Sequence, residues 1–284
     1  MTLVQTGDEV LVPDPYYATY EGLVAASGAT FVPVPTLPED GFHVTAKQIE
    51  AAITPQTRVL LLNTPSNPTG AVLSQNEIDE IGEVCERHDI WIVVDEVYAD
   101  LTYGAPFCSP FDRPHLRHRS LAVSSISKSH ALPGFRAGWI ASPIDVTQRL
   151  VLVAEAMLFG SQPFIEDALA VALSERHPEV ERLSSAFKDR AHQLVSAFDG
   201  STAAKARMPE GGMFIMVDIR ETRMSGEEFA WILLNDHDIV VMPGESFGRG
   251  GAGHIRLALT NDAAVLREAG TRIRAAAEAA AATR

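Results

Sequence analysis

Short apolar runs alternate with amphipathic stretches over the first half of the chain. EVLVP (9–13), TFVPV (30–34), RVLLLN (58–63), IWIVVD (90–95), SLAVSS (120–125) and AGWIAS (137–142) predict strands. Several are apolar at successive positions, as strands of a parallel sheet covered on both faces are. Residues 17–27, 45–53 and 74–88 predict helices between them, and Ser74 with Glu77 supplies an S-x-x-E start signal for the last. This alternation predicts an α/β fold with a mostly parallel sheet. The texture changes near Ile144. Two helical stretches (145–175 and 178–198) precede MFIMVDI (213–219), a helix over 226–236, DIVVMP (238–243), HIRLAL (254–259) and an Ala-rich terminal helix. The expected organisation is a large domain over 1–170 and a smaller α+β domain over 171–284, without internal repeats.

Composition narrows the function classes. Of 284 residues, 46% are hydrophobic and 21% charged, enough apolar content for one large core or two smaller ones. No apolar run approaches the roughly 20 residues of a membrane span. The net charge of −14, from 23 basic and 37 acidic residues, opposes a nucleic-acid partner held through phosphates. Two cysteines, Cys85 and Cys108, fit a reducing cytoplasm better than a disulfide scaffold. Only four lysines occur, at 47, 128, 188 and 205, so a chemically special lysine has few rivals.

Several local patterns match known motifs by letter alone. Gly244, Ser246 and Gly248 spell the nucleophile elbow, which needs a helix directly after the serine, whereas a glycine-rich turn and a strand follow. Gly248, Gly250 and Gly253 spell the dinucleotide fingerprint but lead into a strand, not a helix. IWIVVDE has no Gly-Lys-Ser/Thr loop to accompany it. Ser125-Ile-Ser-Lys128 lacks the further elements of penicillin-recognising enzymes. His115 and His118 lack a third ligand for a metal, and Cys85 falls in a helix as a core residue.

Read together, SNPTG (66–70), DEVY (95–98), SISKSHALPGFRAGW (125–139) and HIRLAL carry sharper chemistry. An Asp closing a buried strand stays ionised when a cation meets it, and a protonated pyridine nitrogen would serve. A lysine on the next strand's loop, desolvated and near a cationic cofactor, becomes a usable amine. Serine hydroxyls with an arginine suit a phosphate monoester, and a second arginine can hold a carboxylate in a fork. Those requirements meet in a pyridoxal phosphate site.

These segments resemble the class I/II aminotransferases of the aspartate aminotransferase superfamily, pyridoxal phosphate enzymes of fold type I. The likeness covers essentially the whole chain. It rests on joint spacing, 28 residues from Asn67 to Asp95 and 8 from Lys128 to Arg136. The resemblance implies that Lys128 forms the aldimine with the cofactor and later shuttles the substrate Cα proton. It implies that Asp95 pairs with the ring nitrogen, and that Tyr98 and Asn67 bond the phenolic oxygen. Ser125, Ser127 and Arg136 would bind the phosphate, Tyr17 (or Tyr16, by a register shift) would stack on the ring, and Arg256 would clamp the substrate carboxylate, with Asn67 beside it. No metal is expected. Amino acid and 2-oxo acid substrates follow, with a homodimer as the assembly.

The chain departs from the family at its front, where only six residues precede Gly7. The resemblance therefore implies that the family's N-terminal part, with backbone N–H groups that help cradle the phosphate, is not in this stretch, which puts full activity in question. Alternatives are a same-fold carbon–sulfur β-lyase, which uses the same lysine chemistry, and a catalytically impaired or regulatory aminotransferase-like domain.

Overall fold

The computed structural model describes residues 2–104, 106–175 and 177–283. Six strands, β1 (Glu9–Asp14), β2 (Thr30–Pro35), β3 (Thr57–Asn63), β4 (Trp91–Asp95), β5 (Ser120–Ser125) and β6 (Gly138–Ala141), pair in the order β2-β1-β3-β4-β5-β6. The first five run parallel, and β6 joins β5 antiparallel. One face of this sheet is covered along β1 to β5 and the other chiefly over β1 and β3, which explains the continuous apolar runs there, while β6 stays half-exposed. On one face Leu60, Leu62, Ile92 and Val94 pack with Ile49, Ile78 and Ile81. On the other, Val10, Val12 and Val59 pack with Tyr20 and Val24. The connecting helices are α1 (Tyr20–Ala26), α2 (Ala46–Ala52), α3 (Gln75–Arg87) and the single turn α4 (Ile126–Ser129). Reciprocal capping boxes, Thr45 with Gln48 and Ser74 with Glu77, start α2 and α3; such a cap contributes about 1 kcal/mol.

Residues 145–175 predict one helix and form two. Helix α5 (Ile144–Leu158) stops at Phe159 (φ 57°) and Gly160 (φ 114°), whose left-handed backbone cannot continue it, and Pro163 opens α6 (Pro163–Ser174). Helix α7 (Pro178–Ser196) leads to a second, antiparallel sheet in the order β7-β8-β10-β9. It comprises β7 (Lys205–Ala206), β8 (Phe214–Asp218), β9 (Met242–Pro243) and β10 (His254–Ala258). Of DIVVMP only the last two residues pair, because β10 meets this edge at just Ile255 and Arg256. Helix α8 (Gly226–His237) and helix α9 (Ala263–Ala282) complete a core holding Ile215, Val217, Phe229, Ile255 and Ile273. No helix among the described residues is long and apolar enough to cross a membrane.

The two sheets are joined by ionic contacts. His43 lies between Glu77 at the start of α3 (Nδ1–Oε1 2.7 Å) and Glu210 ahead of β8 (Nε2–Oε2 2.8 Å). Glu210 also accepts from the Val72 amide at 2.8 Å. The Glu210 hydrogen bond, with that of Glu77, outweighs burial and raises His43 from its ordinary 6.5 to about 9. A group raised on folding stabilises most below its unfolded value, so this contribution is full below about pH 6.5 and is lost as pH rises through about 9. His43→Gln is expected to lower unfolding free energy by about 1–2 kcal/mol near neutral pH. In urea titrations against pH, the gap to the parent should close above the folded-state value. A gap that stays constant with pH would refute the assignment.

Candidate active site

Parallel strands that end at a common edge leave a crevice beyond their carboxyl ends. Here β3, β4 and β5 deliver Asn63, Asp95 and Ser125 to that edge. A cavity of about 560 Å³ opens there, closed on the far side by Phe214 and Arg256 of the second sheet. All nine residues singled out in the sequence line it: Tyr17, Asn67, Asp95, Tyr98, Ser125, Ser127, Lys128, Arg136 and Arg256. Of the two registers for the ring-stacking tyrosine, Tyr17 faces the cavity. Tyr16 instead packs edge-on against Phe31, with ring centroids 4.6 Å apart.

Asp95 sits at the buried floor. Its Oδ2 accepts from the Tyr20 hydroxyl at 2.6 Å and its Oδ1 from the Val97 amide at 3.1 Å. Burial raises the carboxyl above its ordinary value, while these two donors oppose the shift. Burial, with the Asp95 charge beside it, also raises Tyr20 well above a free phenol, so Tyr20 stays a donor. Tyr98 is buried and raised for the same two reasons, desolvation first. Asn63 ties the floor together: its amide donates to Asp95 O (3.0 Å), and its Oδ1 accepts from Asn67 N (2.7 Å).

Lys128 lies on the single turn α4, whose N-cap Ser125 accepts from the Ser127 amide at 3.2 Å. The Lys128 ammonium has neither a hydrogen bond nor an ion pair among the described residues. Lys47, Lys188 and Lys205 are exposed, whereas Lys128 is half-buried. Arg136, in the left-handed region at φ 53°, donates to Pro133 O (3.0 Å) and has no acidic partner among the described residues.

Arg256 comes from β10. Its Nη1 donates to Asn67 Oδ1 at 2.9 Å, and its guanidinium carbon lies 4.1 Å from the Phe214 ring centre and 4.5 Å from that of Phe247. Burial lowers its affinity for its proton, and its Nε is a buried side-chain polar atom with no partner.

The charge balance of this cavity is its main chemical feature. Lys128, Arg136 and Arg256 face it against a single carboxylate, Asp95. Three cations with no acidic partner among the described residues, one of them with an orphaned buried nitrogen, fit a ligand set carrying a phosphate and a carboxylate. Asp95, at the opposite end, fits a cationic ring nitrogen. The residues present therefore suit pyridoxal phosphate and an amino acid.

Tyr20, Asn63 and the two phenyl rings were not legible as site residues. Tyr20 follows Tyr17 by three positions, a spacing that puts both on one side of a helical turn. That spacing was the only available signal. By contrast, His115 and His118 are exposed beside Asp79 and Glu86, Cys85 is fully buried, and the 248–253 glycines form a turn ahead of β10.

Comparison with known proteins agrees with this chemistry. The aminotransferase class I and II family profile matches residues 1–273. Arginine–pyruvate transaminase of Pseudomonas aeruginosa is 43% identical over 271 residues, spanning 95% of this chain and 69% of that protein. An aspartate aminotransferase of Musicola paradisiaca is 34% identical, spanning 90% and 65%. The crystal structure of an aromatic aminotransferase from Pyrococcus horikoshii superposes with a TM-score of 0.94 at 29% identity, covering 98% of this chain and 75% of that one. Matching profile, relatives and fold, this chain belongs to the class I and II aminotransferases, enzymes that transfer amino groups with pyridoxal phosphate.

Proposed function

We propose that this cavity transfers an amino group from an amino acid to a 2-oxo acid, with Lys128 as its central base. The observation that carries the reading is the cavity that Lys128, with neither hydrogen bond nor ion pair among the described residues, shares with a half-buried Asp95 and with Arg256, whose Nε has no partner there. Pyridoxal phosphate, when bound, supplies an electron sink for the carbanion left as the substrate Cα–H bond breaks. Asp95 would meet the positive charge of the ring nitrogen, and Tyr20 and Val97 hold Asp95 in place. Tyr98 and Asn67 would bond the phenolic oxygen, Tyr17 would cover the ring, and Ser125, Ser127 and Arg136 would hold the phosphate. Arg256 fixes the substrate carboxylate, oriented through Asn67. Lys128 Nζ is the base that would take the proton from the substrate Cα.

Arginine with pyruvate is the first substrate pair to test, since the relative at 43% identity carries that name. We place the cofactor-binding domain at 1–170 and the small domain at 171–284, and the cytoplasm as its compartment. The assembly we propose is a homodimer. Its support is the apolar side chains that α5, α6 and their link leave in water, including Leu152, Leu158, Phe159, Phe164 and Val171, a stretch too apolar for a free surface.

The test is an absorbance titration of the purified protein with pyridoxal phosphate, coupled to light scattering. A visible band bleached by an amino acid and restored by a 2-oxo acid, on a particle of two chains, is expected. Release of pyruvate and ammonia without restoration would indicate a β-lyase instead. Absence of any band would mean an impaired or regulatory domain, and a single-chain mass would overturn the dimer.

A further inference from the structure

A guanidinium half-buried in a protein is usually fixed by a carboxylate, and in a substrate-binding site such a partner would compete with the substrate. Arg256 is held differently. Its guanidinium lies over two phenyl rings, at 4.1 Å from Phe214 and 4.5 Å from Phe247. The rings reach it from opposite flanks of β10: Phe214 from β8 on one side, Phe247 from the turn directly after β9 on the other. Its one hydrogen bond among the described residues goes to a neutral amide oxygen, Asn67 Oδ1. Ring faces attract a cation through their quadrupole and leave its net charge uncancelled, and unlike a carboxylate they take up none of its N–H groups, which stay available for a fork.

Both rings are themselves fixed. Phe247 is 2% exposed, and its carbonyl accepts from the Tyr16 amide at 2.8 Å. Three residues on, the Gly250 amide donates to the buried Asp14 Oδ1 at 2.9 Å, so this turn hangs from the end of β1. Phe214 is set by β8–β10 pairing opposite Ala258, on the same face as Arg256, and its ring meets Tyr98 edge-on at 6.1 Å. The large sheet thus fixes one ring through Asp14 and Tyr16, and touches the other through Tyr98.

We propose that Phe214 and Phe247 are positioning residues that hold Arg256 by its faces and so reserve its charge for the substrate α-carboxylate. This inference rests on the reading of Arg256 given above. It assigns the rings an electrostatic task beyond packing, and that task should show in the discrimination between a carboxylate and its uncharged counterpart.

The experiment uses the pyridoxal phosphate-loaded protein and two unreactive probes, 2-methylalanine and its amide, neither of which has a Cα–H to lose. Binding is read from perturbation of the cofactor's visible band. Phe214→Leu and Phe247→Leu are each expected to weaken 2-methylalanine about tenfold and the amide less than about twofold. Phe214→Tyr, which keeps a ring, should restore carboxylate binding. With a reactive amino acid, KM should rise by a similar factor while kcat stays within about twofold. Equal losses for acid and amide, or no loss for either, would overturn the proposal. Because Phe247 is buried and its variant is the one most at risk of misfolding, Phe214→Leu with its Tyr counterpart carries the test alone if needed. Arg256→Lys separates the layers. If it leaves carboxylate binding unchanged, the underlying role of Arg256 fails, and if it weakens binding while the Leu variants do not, only the ring assignment fails.

Discussion

Lys128→Ala is expected to lower amino transfer by about 10⁴-fold, the upper range for removing a positioned acid–base group. The expectation follows from how few groups in the cavity can move a proton at neutral pH. Tyr98 and Tyr20 are both pushed upward by burial and by the Asp95 charge, so neither is a base. Asp95 lies at the floor with both oxygens occupied by donors. Lys128 is the cavity's amine, with neither hydrogen bond nor ion pair among the described residues, and it is half-buried where the other three lysines are exposed. Water can take over part of its task, which is why a residual rate is expected. The check is single-turnover conversion of an amino acid, followed alongside retention of the visible band through gel filtration. A variant that keeps a parental band and a rate within tenfold would remove Lys128 from its role.

Asp95→Ala is expected to weaken pyridoxal phosphate binding by about 10²–10³-fold, with kcat reduced as well. Removing one member of a buried ion pair costs about 3–5 kcal/mol because the surviving charge loses its partner. The structure adds a second loss, since the Tyr20 hydroxyl, 2.6 Å from Oδ2, would be left buried without an acceptor. Asp95→Asn separates the two: it keeps an acceptor for Tyr20 but removes the charge, so its affinity should fall between those of Ala and the parent. Equal affinities for Asn and the parent would show that hydrogen bonding, not charge, is what Asp95 provides. Dissociation constants from fluorescence or absorbance titration decide between these.

Much of the large sheet could be read from the sequence because parallel strands buried on both faces are apolar at nearly every position. The predicted strands match β1 to β6 to within a residue at most ends. What could not be read depends on long-range geometry. The break between α5 and α6 is marked in the sequence by Gly160 and Pro163, but the apolar runs on either side mask it, and a left-handed Phe159 is invisible to periodicity. DIVVMP has strand composition, yet how much of it pairs is decided by the length over which β10 lies alongside. The site shows the same division. Lys128, Asp95 and Arg256 stand out as charges in apolar surroundings. Tyr20 gains its meaning from a bond to a residue 75 positions away, Phe214 from pairing of its strand with a distant β10, and Phe247 from a turn that folds back beside that strand.

The bond from Arg256 to Asn67 has a consequence for how this protein would fail under heat. It joins the far sheet to the loop after β3, and the His43–Glu210 contact crosses the same joint. Neither sheet owns the substrate site; it exists only while the two are seated against each other. Loss of substrate affinity on warming should therefore precede loss of helical signal, and the inactivation midpoint should respond to changes at the seam more than to changes in either core.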